Sequence, residues 1–162
     1  MTVRVEREVE VDCPPEAVWA FISDPASRAG AISVVDSFEV DGDRASWQIA
    51  LPIPLLSRTV EVQTRDVERD PPRYVKFVGR SSVMQVTGEH TVEGADGRTR
   101  LRNTFVVEGR VPGVERFFER HLDEELGNLE RALRNWVAEY EETAGADEVD
   151  DAAESDEAAE TD

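Results

Sequence analysis

The stretch VERFFERHLDEELGNLERALRNWVAEY, residues 114–140, decides the fold. Its apolar positions Val114, Phe117, Phe118, Leu122, Leu126, Leu129, Ala132, Leu133, Trp136, Val137 and Tyr140 recur at spacings of three and four, with His121 in the same stripe. That period marks one face of a single amphipathic helix. Gly127 is its only helix-weakening residue. At about 1.5 Å per residue the helix is roughly 40 Å long, enough to cross a small domain. A helix of that length must lie on something, and the preceding sequence supplies a sheet.

Working back from it, six strands run almost without interruption. They are predicted over 34–40, 44–51, 58–67, 74–78, 83–93 and 98–108, with turns at Asp41-Gly42, Asp70-Pro71-Pro72, 79–81 and 94–97. The connection before the third strand holds Pro52 and Pro54. In the fifth strand Met84, Val86, Gly88, His90 and Val92 alternate with Gln85, Thr87, Glu89, Thr91 and Glu93. In the sixth, Leu101, Asn103, Phe105 and Val107 alternate with polar residues. Clean alternation means one covered and one wet face, and short links imply an antiparallel meander. Ahead of the meander, Val3, Val5, Val9 and Val11 mark an opening strand that ends at Pro14-Pro15. Two short helices follow, over 16–23 and 25–31; Glu16 stands where a capping box led by Cys13 would place an acid, and Asp24 caps the second.

Residues 141–162 carry 11 acidic and no basic residues, so 11 of the 18 net negative charges lie there and 7 in the rest. With Val149 as its only large apolar side chain, this segment is expected to be a disordered acidic tail behind a folded domain of residues 1–140. Charge of this sign argues against nucleic acid and anionic membrane surfaces as partners. Lys76 is the only lysine. Arg in place of Lys with an acidic excess resembles proteins of salt-loving archaea, and concentrated salt is expected to screen the repulsion. Cys13 is alone, so no internal disulfide forms and a reducing cytoplasm is expected. The start alternates charge and Val and so is not a signal peptide. The apolar stretch 49–56 holds two prolines and is too short to span a bilayer.

The order strand, two short helices, six-strand meander, long terminal helix resembles the START/Bet v 1-like superfamily with its helix-grip fold. The stretch Val11-Asp12-Cys13-Pro14-Pro15-Glu16-Ala17-Val18-Trp19-Ala20-Phe21-Ile22 resembles that family's entry into its first helix. Asp24-Pro25, Asp70-Pro71-Pro72 and Gly109-Arg110-Val111-Pro112-Gly113 resemble its second helix start, its middle turn and its linker into the last helix. The branches most similar are the polyketide cyclase/dehydrase-like and carbon-monoxide-dehydrogenase-accessory-like ones. The resemblance implies an α+β fold in which a seven-stranded curved antiparallel sheet grips the long helix around an apolar cavity. It also implies a hydrophobic small molecule, such as a lipid or polyketide, as partner.

Chemistry in such a cavity would come from few residues. His90, on the covered face of its strand, and His121, on the helix stripe, are candidates for anchoring a ligand's polar group or for acid–base work. Asn103 is a polar residue on an apolar face and needs a partner. Trp47, Met84, Phe105 and Phe117 are candidate cavity walls that also read as core, as does Trp136. Arg58 shares the phase of Val60 and Val62 and reads as a strand-end residue near the mouth. Cys13 has no base near it in sequence, and no catalytic role is assigned to it. There is no phosphate-binding Gly-rich loop, no zinc spacing and no Gly-x-Ser-x-Gly elbow, so no cofactor or metal is expected. Asp123, Glu124 and Glu125 lie mostly on the wet helix face. The leading expectation is a non-enzymatic carrier of a hydrophobic small molecule. The alternatives are a cyclase or dehydratase using His90, His121 or Asn103, and an accessory protein docking through apolar residues 51–56.

Overall fold

The computed structural model describes residues 2–53, 59–95 and 97–161, with side chains described except for Ala95 and residues 142–161. Its elements are β1 (Thr2–Val11), α1 (Pro15–Ile22), α2 (Pro25–Ala31), β2 (Val35–Asp41), β3 (Arg44–Ile49), β4 (Val60–Asp70), β5 (Tyr74–Arg80), β6 (Met84–Ala95), β7 (Arg98–Gly109) and α3 (Val114–Thr161). From residue 142 on, the side chains of the expected acidic tail lie outside the described residues, as do Arg58 and residues 54–56 of the apolar stretch.

The seven strands form one antiparallel sheet in the order β1-β7-β6-β5-β4-β3-β2. The meander is as its short turns require. The first strand closes the other edge by pairing with the last, from Thr2 against Glu108 to Val11 against Thr99. On the wet face of this β1–β7 pair the alternating charges meet as a ladder. Arg98 bonds Asp12 at 3.2 Å, Arg100 bonds Glu10 at 3.0 Å and Arg102 bonds Glu8 at 2.9 Å. These exposed pairs each contribute little to stability.

On the other face, α3 crosses β1 and β7 and also packs on α1 and α2. Val114, Phe118, Leu122, Leu126, Leu129, Leu133 and Val137 are its buried stripe. One detail differs from the sequence reading. The N-cap of α1 is Pro14, with no side-chain cap, so Cys13 and Glu16 form no capping box; a proline at the cap has already fixed the backbone turn. Asp24 does cap α2, accepting from the Ala26 backbone at 3.0 Å.

A buried ion pair joins the α2 corner to the sheet. Arg28, 2% exposed, donates to Asp66 of β4 and to the Ile22 carbonyl at 3.0 Å. Arg69 holds the second Asp66 oxygen at 2.7 Å and lies 5.7 Å from the Trp19 ring. Sequence reading did not find this cluster: Arg28 looks like any polar residue in a seven-residue helix, and only the tertiary fold buries it.

Candidate functional site

The inward faces of β3, β5, β6 and β7 converge on four rings. Trp47 lies 5.7 Å from Phe77, Phe77 stacks on His90 at 6.0 Å and packs on the edge of Phe105 at 5.9 Å, and His90 lies 5.7 Å from Phe105. Glycine makes the cluster possible. A Cβ on Gly88 would stand 2.1 Å from Phe77 Cε1, so the Phe77 ring rests where any other residue has a side chain.

Between this cluster and α3 runs an apolar cleft. It is walled by Trp47, Ile49, Met84, Val86, Phe105, Val107, Phe118, Leu122 and Ile32, with Glu125 as its one acid. The room inside is about 20 Å³. Ligand pockets usually run from about 300 Å³ upward, so the ligand-sized cavity expected from sequence is closed down here to space for a water-sized body. The side chains of the cleft wall occupy the rest. Larger hollows, such as one of about 290 Å³ rimmed by Glu10, Arg98 and Arg100, lie on the charged outer face.

Trp47, Met84 and Phe105 stand on the cleft wall. His90 and Asn103 stand one ring behind it, both fully buried, with Nδ1 of His90 donating to Oδ1 of Asn103 at 2.7 Å. The β6–β7 register sets these two residues directly opposite each other. Phe117 is half-buried at the stripe edge, against Phe118 at 5.1 Å and His121 at 4.6 Å. His121 was expected on the buried stripe; its side chain is 45% exposed and faces Glu124 at 3.6 Å. It lies one step of about 100° round the helix from buried Leu122, so it does not join His90. Trp136 packs on Phe21 at 6.1 Å, away from the cleft wall.

Glu125 departs from the wet-face reading. Its carboxylate accepts from the Ser33 backbone at 2.8 Å and from the Ser33 hydroxyl, tying α3 to the connection between α2 and β2. Its place between Leu122 and Leu129, at helical spacing, was the available signal.

Burial, then the nearby Arg28 charge, pulls the His90 pKa from 6.5 down to about 3, with the Asn103 hydrogen bond opposing. The ring is therefore neutral at ordinary pH. A base that weak is poorly matched to proton abstraction near neutrality. The unfolded chain binds this proton below pH 6.5 and the folded chain does not, so stability falls with pH through the window from 6.5 toward 3. Going from pH 7 to pH 5, the wild type is expected to lose about 2 kcal/mol more than His90→Phe. Denaturant midpoints at both pH values check this; equal losses in the two proteins would refute the assignment.

Three buried side-chain atoms have no hydrogen-bond partner among the described residues: Trp47 Nε1, His90 Nε2 and Asn103 Nδ2. No group of three or more His, Cys, Asp or Glu among the described residues is arranged to hold a metal. No helix among them is long and apolar enough to cross a membrane.

A family model described as polyketide cyclase / dehydrase and lipid transport matches residues 2–134. No curated protein sequence matches the chain. Among solved structures, a conserved protein from Geobacillus kaustophilus superposes with a TM-score of 0.69 at 16% identity, covering 85% of this chain and 96% of the other. A START superfamily protein from Mycobacterium smegmatis gives 0.66 at 14% identity, with 85% and 98% covered. The Zhui aromatase/cyclase from Streptomyces sp. R1128 gives 0.64 at 16%, with 82% and 92% covered. At these identities the likeness carries the helix-grip fold alone.

Proposed function

The chain belongs to the polyketide cyclase/dehydrase and lipid transport family, and on that premise we propose that it binds and carries a hydrophobic small molecule between the sheet and α3. The observation that carries this reading is the cleft itself. Of its lining side chains only Glu125 is charged, and that carboxylate is already engaged by Ser33. A surface this apolar, held between two separate layers of the fold, gains free energy when a hydrophobic guest displaces water from its mouth.

Occupancy requires the cleft to widen. Met84, with three rotatable side-chain bonds, lies on one wall. The opposite wall runs through Ile32 and Val34, on either side of the Ser33 that Glu125 holds. Widening there requires this connection to move away from α3, which releases the Ser33–Glu125 bonds and the bond from the Ala50 N–H to the Val34 carbonyl. The carrier reading is favoured over a cyclase or dehydratase because His90 is too weak a base, and because His121 is on the outside. The accessory-protein reading rested on residues 51–56, of which Leu51 is buried and Ile53 half-buried.

Two measurements test the proposal. Protein purified from its own organism is expected to release a hydrophobic small molecule on solvent extraction, seen by mass spectrometry as a one-to-one complex before extraction. Protein freed of that molecule is expected to bind N-phenyl-1-naphthylamine saturably. At a hundred times its dissociation constant the probe should raise stability by about 2.7 kcal/mol. A clean mass spectrum together with no saturable probe binding would defeat the reading.

A further inference from the structure

We propose that residues 32–34 are the lid of the cleft and that the Ser33–Glu125 bonds are its latch, made only while the cleft is empty. This concerns how the site of the carrier reading is controlled, and it rests on that reading.

Glu125 is the one charged side chain on the cleft wall and is 4% exposed. A carboxylate so buried needs bonds to satisfy it. Both of its oxygens accept from Ser33, one from the backbone N–H at 2.8 Å and the other from the hydroxyl. The segment held in this way is one strand of chain thick. Ile32 has extended backbone, φ −91° and ψ 120°, so neighbouring side chains point to opposite sides. Ile32 and Val34 line the cleft, and Ser33 between them is exposed. The segment therefore has the apolar space on one side and solvent on the other.

Little else ties it to the body of the protein. Helix α2 ends at Ala31 and β2 begins at Val35. The Ile32 N–H bonds the Ala29 carbonyl at 3.3 Å and the Val35 N–H bonds the Ile32 carbonyl at 3.1 Å, both within the connection and its helix. From Ala50 the backbone N–H reaches the Val34 carbonyl at 2.9 Å. The flanks suit a lid. On one side the buried Arg28–Asp66 pair anchors α2 to the sheet. On the other, the β2–β3 register is irregular between Val35 and Ser37, and such a step lets a strand bend.

The latched cleft has room for about 20 Å³, far less than a ligand needs. The Ser33–Glu125 bonds therefore belong to the empty state. Lifting the lid gives Glu125 the solvent that Ser33 already meets. Bonds made in the empty state and broken in the loaded one oppose binding by their own worth. Bonds to an ionised carboxylate are among the stronger ones. The latch thus keeps the apolar walls covered between loads, at a cost in affinity and in the rate of entry.

The test uses the full chain, freed of any bound molecule, as wild type, Ser33→Ala and Ser33→Thr. N-phenyl-1-naphthylamine is titrated by fluorescence and its entry is followed by stopped flow, with urea midpoints measured alongside. Ser33→Ala is expected to bind the probe about tenfold tighter and to take it up faster by about the same factor, with little change in release, although its urea midpoint falls. Ser33→Thr keeps the hydroxyl and is expected to behave as wild type. A merely structural role for Ser33 would lower stability and affinity together. Affinity and uptake in Ser33→Ala no higher than in wild type overturn the latch and leave the carrier reading standing. No saturable binding by either protein defeats the carrier reading and the latch with it.

Discussion

Asp66→Ala is expected to destabilise the domain by about 3–5 kcal/mol. Asp66 is nearly inaccessible and holds two arginines, one of them, Arg28, as buried as itself. Truncating the carboxylate leaves the guanidinium in the interior with the Ile22 carbonyl as its one hydrogen-bond acceptor among the described residues, beside the Phe77 ring. Burial already pulls Arg28 below its ordinary pKa, and Asp66 is the chief group opposing that shift. Since small domains are stable by about 5–15 kcal/mol, the loss is a large share of the total. The double variant Asp66→Leu/Arg28→Met removes both charges and is expected to recover most of it. Chemical denaturation of the three proteins decides the matter. A single variant losing less than about 1 kcal/mol, the scale of an exposed pair, would show that the carboxylate does not hold a buried charge.

Phe77→Ala is the second large effect, about 3–5 kcal/mol from lost burial plus the cavity left behind. The ring is the centre of the cluster, touching Trp47, His90 and Phe105 and carrying Arg28 above its face. Its seat on Gly88 makes the prediction specific. Gly88→Ala alone is expected to cost about 1–3 kcal/mol by overpacking. In the Phe77→Ala background the same methyl enters vacated space and should cost little or even stabilise. A double-mutant cycle measures the difference; strict additivity would mean that the 2.1 Å approach does not govern the packing. The Phe77→Ala protein should also take up benzene, because an apolar engineered cavity stays dry.

Fold and site were legible to different depths. Periodicity carried the fold, because Leu122, Leu126, Leu129 and Leu133 repeat with the helix and Val86, His90 and Val92 with the strand, and both patterns survive tertiary packing. The His90–Asn103 pair was not legible: a turn over 94–97 sets His90 against Leu101, whereas the strands run on to pair Ala95 with Arg98 and so set His90 against Asn103. His121 misled because a stripe has edges, and helical phase gives direction only to about one residue. Arg28 carried no signal of its own, since a charged residue in a short helix becomes buried only when two distant segments close over it, whereas Asp66, in phase with Val62 and Thr64, and Glu125, between Leu122 and Leu129, were marked by position alone. The volume of the cleft was the least legible feature, because it is the small remainder left by many side chains.

The pairing of β1 with β7 has a consequence for how the molecule is made. Thr2 finds its neighbour only at Glu108, and Val11 only at Thr99. During synthesis the opening strand, with its row of valines, leaves the ribosome about a hundred residues before its mate. Contacts that distant are closed late and slowly. The bottleneck in reaching the native state is thus the return of the amino end to the finished hairpins, and an amino-terminal fusion or truncation at residues 2–11 should retard maturation more than any change in the turns.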